Sequence, residues 1–157
     1  DLYAQWPSLT GFNAVAKPIF NNQDKAGRLL FIAFEQRVMT RDMSGRFGPI
    51  YKSMIEGSGE KMPNGLVRYR LPEKAGFLDE FLYVGNENSE RPFVARCLAE
   101  EASANSLAAC DRDYQAGQGL SMMVRFSPKR LDDWQAFDIA LSAFAKAAIK
   151  SELSTEN

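Results

Sequence analysis

No histidine occurs anywhere in the 157 residues. That removes the commonest general base, so the usual Ser-His-Asp and Cys-His triads cannot be assembled, and it removes the commonest side-chain metal ligand. Cysteine is nearly as scarce. Cys97 and Cys110 are the only two, too few without histidine for a four-ligand zinc site and not in the Cys-x-x-Cys spacing of a catalytic dithiol. An excess of charge is missing too. Nineteen Lys and Arg face twenty Asp and Glu, a formal charge of -1, which gives no long-range field for a polyanion, and nucleic acid is not an expected partner. Long apolar runs are absent as well. The longest, Leu29-Leu30-Phe31-Ile32-Ala33-Phe34, falls far short of the ~20 residues of a membrane-spanning helix. No internal repeat and no low-complexity tract is found, and no metal or cofactor is expected.

What the chain does have is ordinary for one globular domain: 45% hydrophobic residues, 25% charged, and eleven Phe that point to a ring-rich core. A domain of this length buries roughly 70% of its unfolded surface. Residues 1–26 read as an N-terminal linker or edge segment, 27–150 as a single α+β domain and 151–157 as a polar tail that frays. Within the first segment Trp6-Pro7 and Thr10-Gly11 are breakers, while Tyr3, Trp6 and Phe12 are apolar enough to dock. The chain begins at Asp1 rather than Met. A cleaved signal peptide, a membrane anchor outside the chain and an internal boundary would each explain that.

Strand patterns dominate. Over Gly27–Met39, Leu30, Ile32, Phe34 and Val38 alternate with Leu29, Phe31 and Ala33, and the second set turns polar at Glu35 and Arg37. This reads as a strand buried first on both faces and then on one, with a helix as the alternative because Leu, Ala, Glu, Gln and Arg favour it. Met43–Gly48 reads as a turn, Pro49–Glu56 as a short helix with Pro49 at its first position, and Gly57–Gly65 as a polar loop closed by Asn64-Gly65. Val67, Tyr69 and Leu71 alternate with Arg68 and Arg70; Phe81–Val84 favours strand; Phe93–Leu98 is a strand with Phe93, Ala95 and Cys97 on one face. Glu100–Ala109 reads as helical and Asp111–Gly119 as turn material. Leu120, Met122, Val124 and Phe126 form the inner face of a last strand. The C-terminal helix then follows. Ser127 is its N-cap and Pro128 its first residue, Asp132 and Asp133 sit at its positive end, and Leu131, Trp134, Phe137 or Asp138, Leu141, Phe144 or Ala145, and Ala148 make its stripe. The fold class is α+β: a mostly antiparallel sheet of about five strands with a C-terminal amphipathic helix packed on one face.

Three motifs resemble catalytic or metal sites and each lacks a part. Asp111-Arg-Asp113 begins like a calcium loop, but Ala116 stands where glycine is needed and Met122 where a bidentate Glu is needed. Ser58-Gly-Glu-Lys61 spells Ser-x-x-Lys without the Lys-Thr-Gly companion. Glu100-Glu101 and Asp132-Asp133 are adjacent acids, whereas acid-base chemistry needs carboxylates held apart with divergent pKa values.

Two readings survive. Cys97 and Cys110 are expected to form a disulfide, which in the chain-entropy model contributes on the order of 3 kcal/mol for a loop of about 14 residues and points to an oxidising compartment, periplasmic or extracellular. Arg68, Arg70, Arg96 and Arg125 all fall on expected strands and are the candidate surface for a protein partner or a small anionic ligand. The function expected is therefore non-enzymatic binding by an extracytoplasmic domain, such as the soluble part of a membrane-anchored or secreted bacterial protein. The alternatives are a histidine-independent hydrolase using Asp/Glu or Ser/Lys, and a cytosolic assembly domain with buried free thiols.

Overall fold

The computed structural model describes residues 2–11, 27–37, 41–55, 57–100 and 108–155. They form one antiparallel sheet with a long helix across it. In chain order the strands are β1 (Leu2–Gln5), β2 (Thr10–Gly11), β3 (Leu29–Gln36), β4 (Glu60–Lys61), β5 (Val67–Arg70), β6 (Glu80–Gly85), β7 (Phe93–Leu98), β8 (Cys110–Gly117) and β9 (Leu120–Phe126). Their order in space is β2-β1-β3-β9-β8-β7-β6-β5-β4. The α+β class and the C-terminal helix on the sheet are as the sequence predicts, but the sheet has nine strands rather than about five.

Part of that difference comes from short pairs. β2 and β4 are two residues long, and β1 and β2 come from the segment read as linker or edge. The larger part is β8, which occupies most of the stretch expected to be a turn. Cys110, Arg112, Tyr114 and Ala116 lie buried in alternation on this strand. Its charged residues concealed a period-two pattern of buried positions.

The helix α2 (Trp134–Thr155) covers one face. It is launched by a 3-10 turn, Pro128–Asp133, whose Ser127 Oγ accepts from the Lys129 amide at 3.3 Å. Leu131, Trp134, Phe137, Leu141 and Ala145 are buried against Leu30, Ile32, Met122, Val124 and Phe126 of β3 and β9. Trp6 joins this core from the N-terminal segment: its ring lies edge-on to Phe137 at 5.2 Å and its Nε1 donates to Asp133 Oδ2 at 2.8 Å. Phe12 and the residues 101–107 of the expected helix lie outside the described residues. At Gly85 the ring of Trp134 comes so close that a Cβ would stand 2.5 Å from Cη2, which is why this position carries no side chain.

A second, smaller helical segment packs on the opposite face. This is α1: it opens as Met43–Arg46, widens to i→i+5 spacing over Phe47–Tyr51 and closes with Lys52–Met54. Its N-cap is Asp42, whose Oδ1 accepts from the Gly45 amide at 3.1 Å. The helix thus starts six residues before Pro49, where the sequence suggested its beginning. Proline lacks an N–H, and the widened turn around it accommodates that missing donor. Met43 and Phe47 bury against Tyr69, Leu71, Leu82, Val84 and Val94 of β5, β6 and β7.

Tyr69 anchors this second cluster. Its hydroxyl donates to Glu87 Oε2 at 2.7 Å, and burial, then the bond to and charge of Glu87, push its pKa up to about 12. A raised tyrosine pKa means the folded state holds its proton more tightly than the unfolded chain. The associated stability is complete below the ordinary value near 10 and is lost as pH rises toward the folded value. Absorbance titration of the phenols should therefore show Tyr69 ionising near pH 12. Denaturant midpoints should hold below about pH 10 and fall above it. In Tyr69→Phe that part of the alkaline loss should disappear.

Candidate partner-binding face

The sheet narrows to a seam where β7 meets β8. They pair at two rungs, Arg96↔Asp111 and Cys97↔Cys110, and beyond the second the Leu98 amide donates to the Ala109 carbonyl at 3.0 Å. Both rungs are reinforced. Cys97 and Cys110 form the disulfide, with their Cα atoms 4.0 Å apart, and Arg96 makes a fork onto Asp111, Nε to Oδ1 and Nη2 to Oδ2, each at 3.2 Å. Burial works against the Arg96 charge, but Asp111 and Glu80 outweigh it and hold the guanidinium pKa above its usual value.

Beyond the Arg96↔Asp111 rung β7 and β8 splay, and side chains fill the opening. Arg112, fully buried, donates from Nε to Asp138 Oδ1 of α2 at 3.0 Å, from Nη1 to the Val94 carbonyl of β7 at 2.7 Å and from Nη2 to Ser44 Oγ of α1 at 2.8 Å. Its guanidinium also lies over the rings of Phe93 and Tyr114, 4.9 and 4.6 Å from their centroids. Burial opposes its charge, and Tyr114 and Asp138 more than offset that, so its pKa is raised. Tyr114 donates to the same Asp138 oxygen at 2.9 Å; burial and Asp138 drive its pKa upward despite Arg112, so the phenol stays protonated. On the other face of β8, Asp113 accepts from the Met43 amide at 2.6 Å and from Arg46 Nη2 at 2.8 Å. Asp113 is thus a bolt between strand and helix, not part of a calcium loop.

This network is closed chemically. Ser44 Oγ accepts from Arg112 and donates to the Pro92 carbonyl at 2.6 Å, and Tyr114 keeps its proton, so neither is poised as a nucleophile or a base. The network holds the two half-sheets and two helices in one arrangement.

The registers sort the four candidate arginines onto two faces. Arg68 and Arg70 lie on the α2 side, beyond the core under the helix. Arg68 is paired with Glu60 of β4 and Arg70 with Asp79 at 3.2 Å, and both guanidinium groups stand over the Phe81 ring, 4.6 and 5.6 Å from its centroid. Arg96 and Arg125 are on the opposite side, and there the ladder sets one row across five strands: Tyr3, Phe31, Arg125, Asp111 and Arg96. The sequence alone marks the two arginines of this row. It could not place Tyr3, Phe31 and Met123 beside them, because that depends on strand order and register.

Around Arg125 the face is open. Tyr3 is 56% exposed and meets Phe31 edge-on at 5.2 Å. With Ala33, Met123, Glu35 and Arg125 they line a shallow hollow of about 270 Å³. Arg125 is exposed. Among the described residues it forms no ion pair, while its in-register neighbour Asp111 has both oxygens engaged by Arg96. Aromatic side chains, methionine and arginine together are the composition enriched in protein interfaces.

The architecture is that of an α+β protein with a large antiparallel sheet, one long C-terminal helix on one face, and on the other the short helix α1 and a shallow hollow of mixed polar and apolar lining. No family model and no curated protein matches the sequence. Among solved structures, the fold is similar to an immunity protein of the Stenotrophomonas maltophilia type IV secretion system. The TM-score is 0.52 at 14% sequence identity, over 88% of this chain and 77% of that one. At that identity the likeness is one of fold.

Proposed function

We propose that this chain is an extracytoplasmic binding protein of the immunity type, which recognises a secreted protein toxin and blocks it by occupying its surface. The observation that carries the reading is the sheet face where Tyr3, Phe31, Met123 and Glu35 line a hollow with Arg125, which forms no ion pair among the described residues. The fold likeness to an immunity protein supports the partner class. The Cys97–Cys110 disulfide supports a periplasmic or extracellular location, since such bonds are rare in reducing cytosol.

A small anionic ligand on the four arginines is the weaker alternative. Arg68, Arg70 and Arg96 are already matched by Glu60, Asp79 and Asp111. They would have to give up those partners to bind it.

The test is capture and protection. The tagged chain, exported from the cytosol of its source organism and crosslinked after export, should retain one secreted protein. That protein, purified, should re-form a one-to-one complex with the chain and should arrest growth when expressed without it. Absence of an equimolar partner, or a partner whose expression is harmless, would count against the proposal.

A further inference from the structure

We infer that the partner's contacting segment is acidic: it brings a carboxylate to Arg125 and seats apolar side chains on Tyr3, Phe31 and Met123. This rests on the protein-binding reading above and names the chemistry that the partner must supply.

On this face Arg37 and Arg96 are already paired. Arg37 is paired with Glu35 at 3.1 Å and lies 3.8 Å from Asp113. Arg96 sits between Asp111 at 3.2 Å and Glu80 at 3.4 Å. Arg125 differs. Its cross-strand neighbours are Phe31 on β3 and Asp111 on β9's other flank, β8, the first without charge and the second with its oxygens taken. In the free protein water solvates this guanidinium. Any surface that covers Tyr3, Phe31 and Met123 must also cover Arg125, which sits among them in the hollow; the other charged group of the lining, Glu35, is already held by Arg37. Covering a guanidinium without a counter-charge is strongly unfavourable. A docked surface therefore has to carry a carboxylate, and the planar guanidinium selects one that approaches edge-on with two oxygens.

The apolar surroundings favour a polypeptide over a free anion. A lone anion would find one unpaired cation in a shallow, open hollow and would leave the ring and thioether surface wet. A segment with aromatic or branched aliphatic residues beside its Asp or Glu satisfies both parts. A nucleic-acid strand is disfavoured because Arg125 has no second unpaired cation beside it among the described residues of the hollow.

The experiment uses the whole disulfide-bonded chain, immobilised, and a displayed library of random dodecapeptides. Enriched peptides should carry Asp or Glu next to an aromatic or branched aliphatic residue. Synthetic copies should lose at least tenfold in affinity against Arg125→Gln and against Tyr3→Ala, and should bind Arg70→Gln, on the opposite face, within twofold of the parent protein. Four results would overturn the inference: no enrichment, enriched peptides without acidic residues, equal binding to Arg125→Gln, or a concentration-dependent dimer in sedimentation that Arg125→Gln abolishes, which would make a second copy the occupant. The two proposals fail separately. A captured toxin that binds Arg125→Gln as well as the parent protein defeats this inference and leaves the function standing. Acidic peptides selected by Arg125 without any toxin partner do the reverse.

Discussion

Arg112→Ala should lower the stability of the fold by about 3–5 kcal/mol, the range seen when one member of a buried charge pair is removed. The side chain is fully buried and reaches three separate parts of the molecule, Asp138 on α2, the Val94 carbonyl on β7 and Ser44 on α1. Truncation leaves the Asp138 carboxylate without its cation and the Val94 carbonyl facing a void. It also removes the group that fills the splayed part of the seam. Buried acceptors left without donors cost roughly 1–3 kcal/mol each, so the penalty exceeds that of a core truncation of equal volume alone. Urea denaturation of the purified variant measures it. Arg112→Met is the informative companion. It refills most of the volume and restores packing but not the hydrogen bonds, so it should recover only part of the loss. Full recovery would show that volume, not the network, is what matters there.

The second large effect is at the disulfide. Cys97→Ala with Cys110→Ala should cost about 3 kcal/mol, the chain-entropy value for a closed loop of about 14 residues. The location makes the consequence specific. Two rungs and the backbone bond from Leu98 to Ala109 join β7 to β8 here, and the disulfide spans one of the rungs. Without it the half-sheets are held at the seam by the Arg96–Asp111 fork and the Arg112 network. Amide exchange should quicken first along β7 and the adjoining part of β8, while β3 and β9, which pair over seven positions, keep their protection. Uniform loss across all strands would mean that the bond stabilises the chain globally without a special role at the seam. In the parent protein, reduction of the bond by a small thiol should quicken with denaturant, because both cysteines are buried in the folded state.

How much of this was visible in the sequence depended on how each residue's polarity is satisfied. β9 was legible because Leu120, Met122, Val124 and Phe126 face the core and their neighbours Ser121, Met123 and Arg125 do not. The C-terminal helix was legible because Ser127-Pro128 marks its start and its stripe is strongly apolar. β8 was not, since Asp111, Arg112 and Asp113 look like surface residues until Arg96, Asp138, Arg46 and the Met43 amide are known to lie beside them. Those partners come from distant parts of the chain. The start of α1 was hidden by Pro49, which usually marks a first turn and here lies inside the helix. The disulfide was legible from two cysteines near a strand end. Of the binding face, Arg96 and Arg125 were read as strand arginines, but their grouping away from Arg68 and Arg70 follows only from the registers.

The seam and the open face are linked by one strand pair. Asp111 stands at the seam and beside Arg125, and Arg96 holds both of its oxygens. Arg125, the in-register neighbour of Asp111, itself forms no ion pair among the described residues.

Hydroxyl-radical footprinting of the chain, free and bound to its captured secreted partner, tests the central claim most directly. Tyr3, Phe31 and Met123 should lose labelling on binding, while Leu78 and Ile139, which are 74% and 72% exposed elsewhere on the surface, should be labelled equally in both states. Protection of Ile139 or Leu78 with Tyr3, Phe31 and Met123 unchanged would place the partner elsewhere and contradict the account.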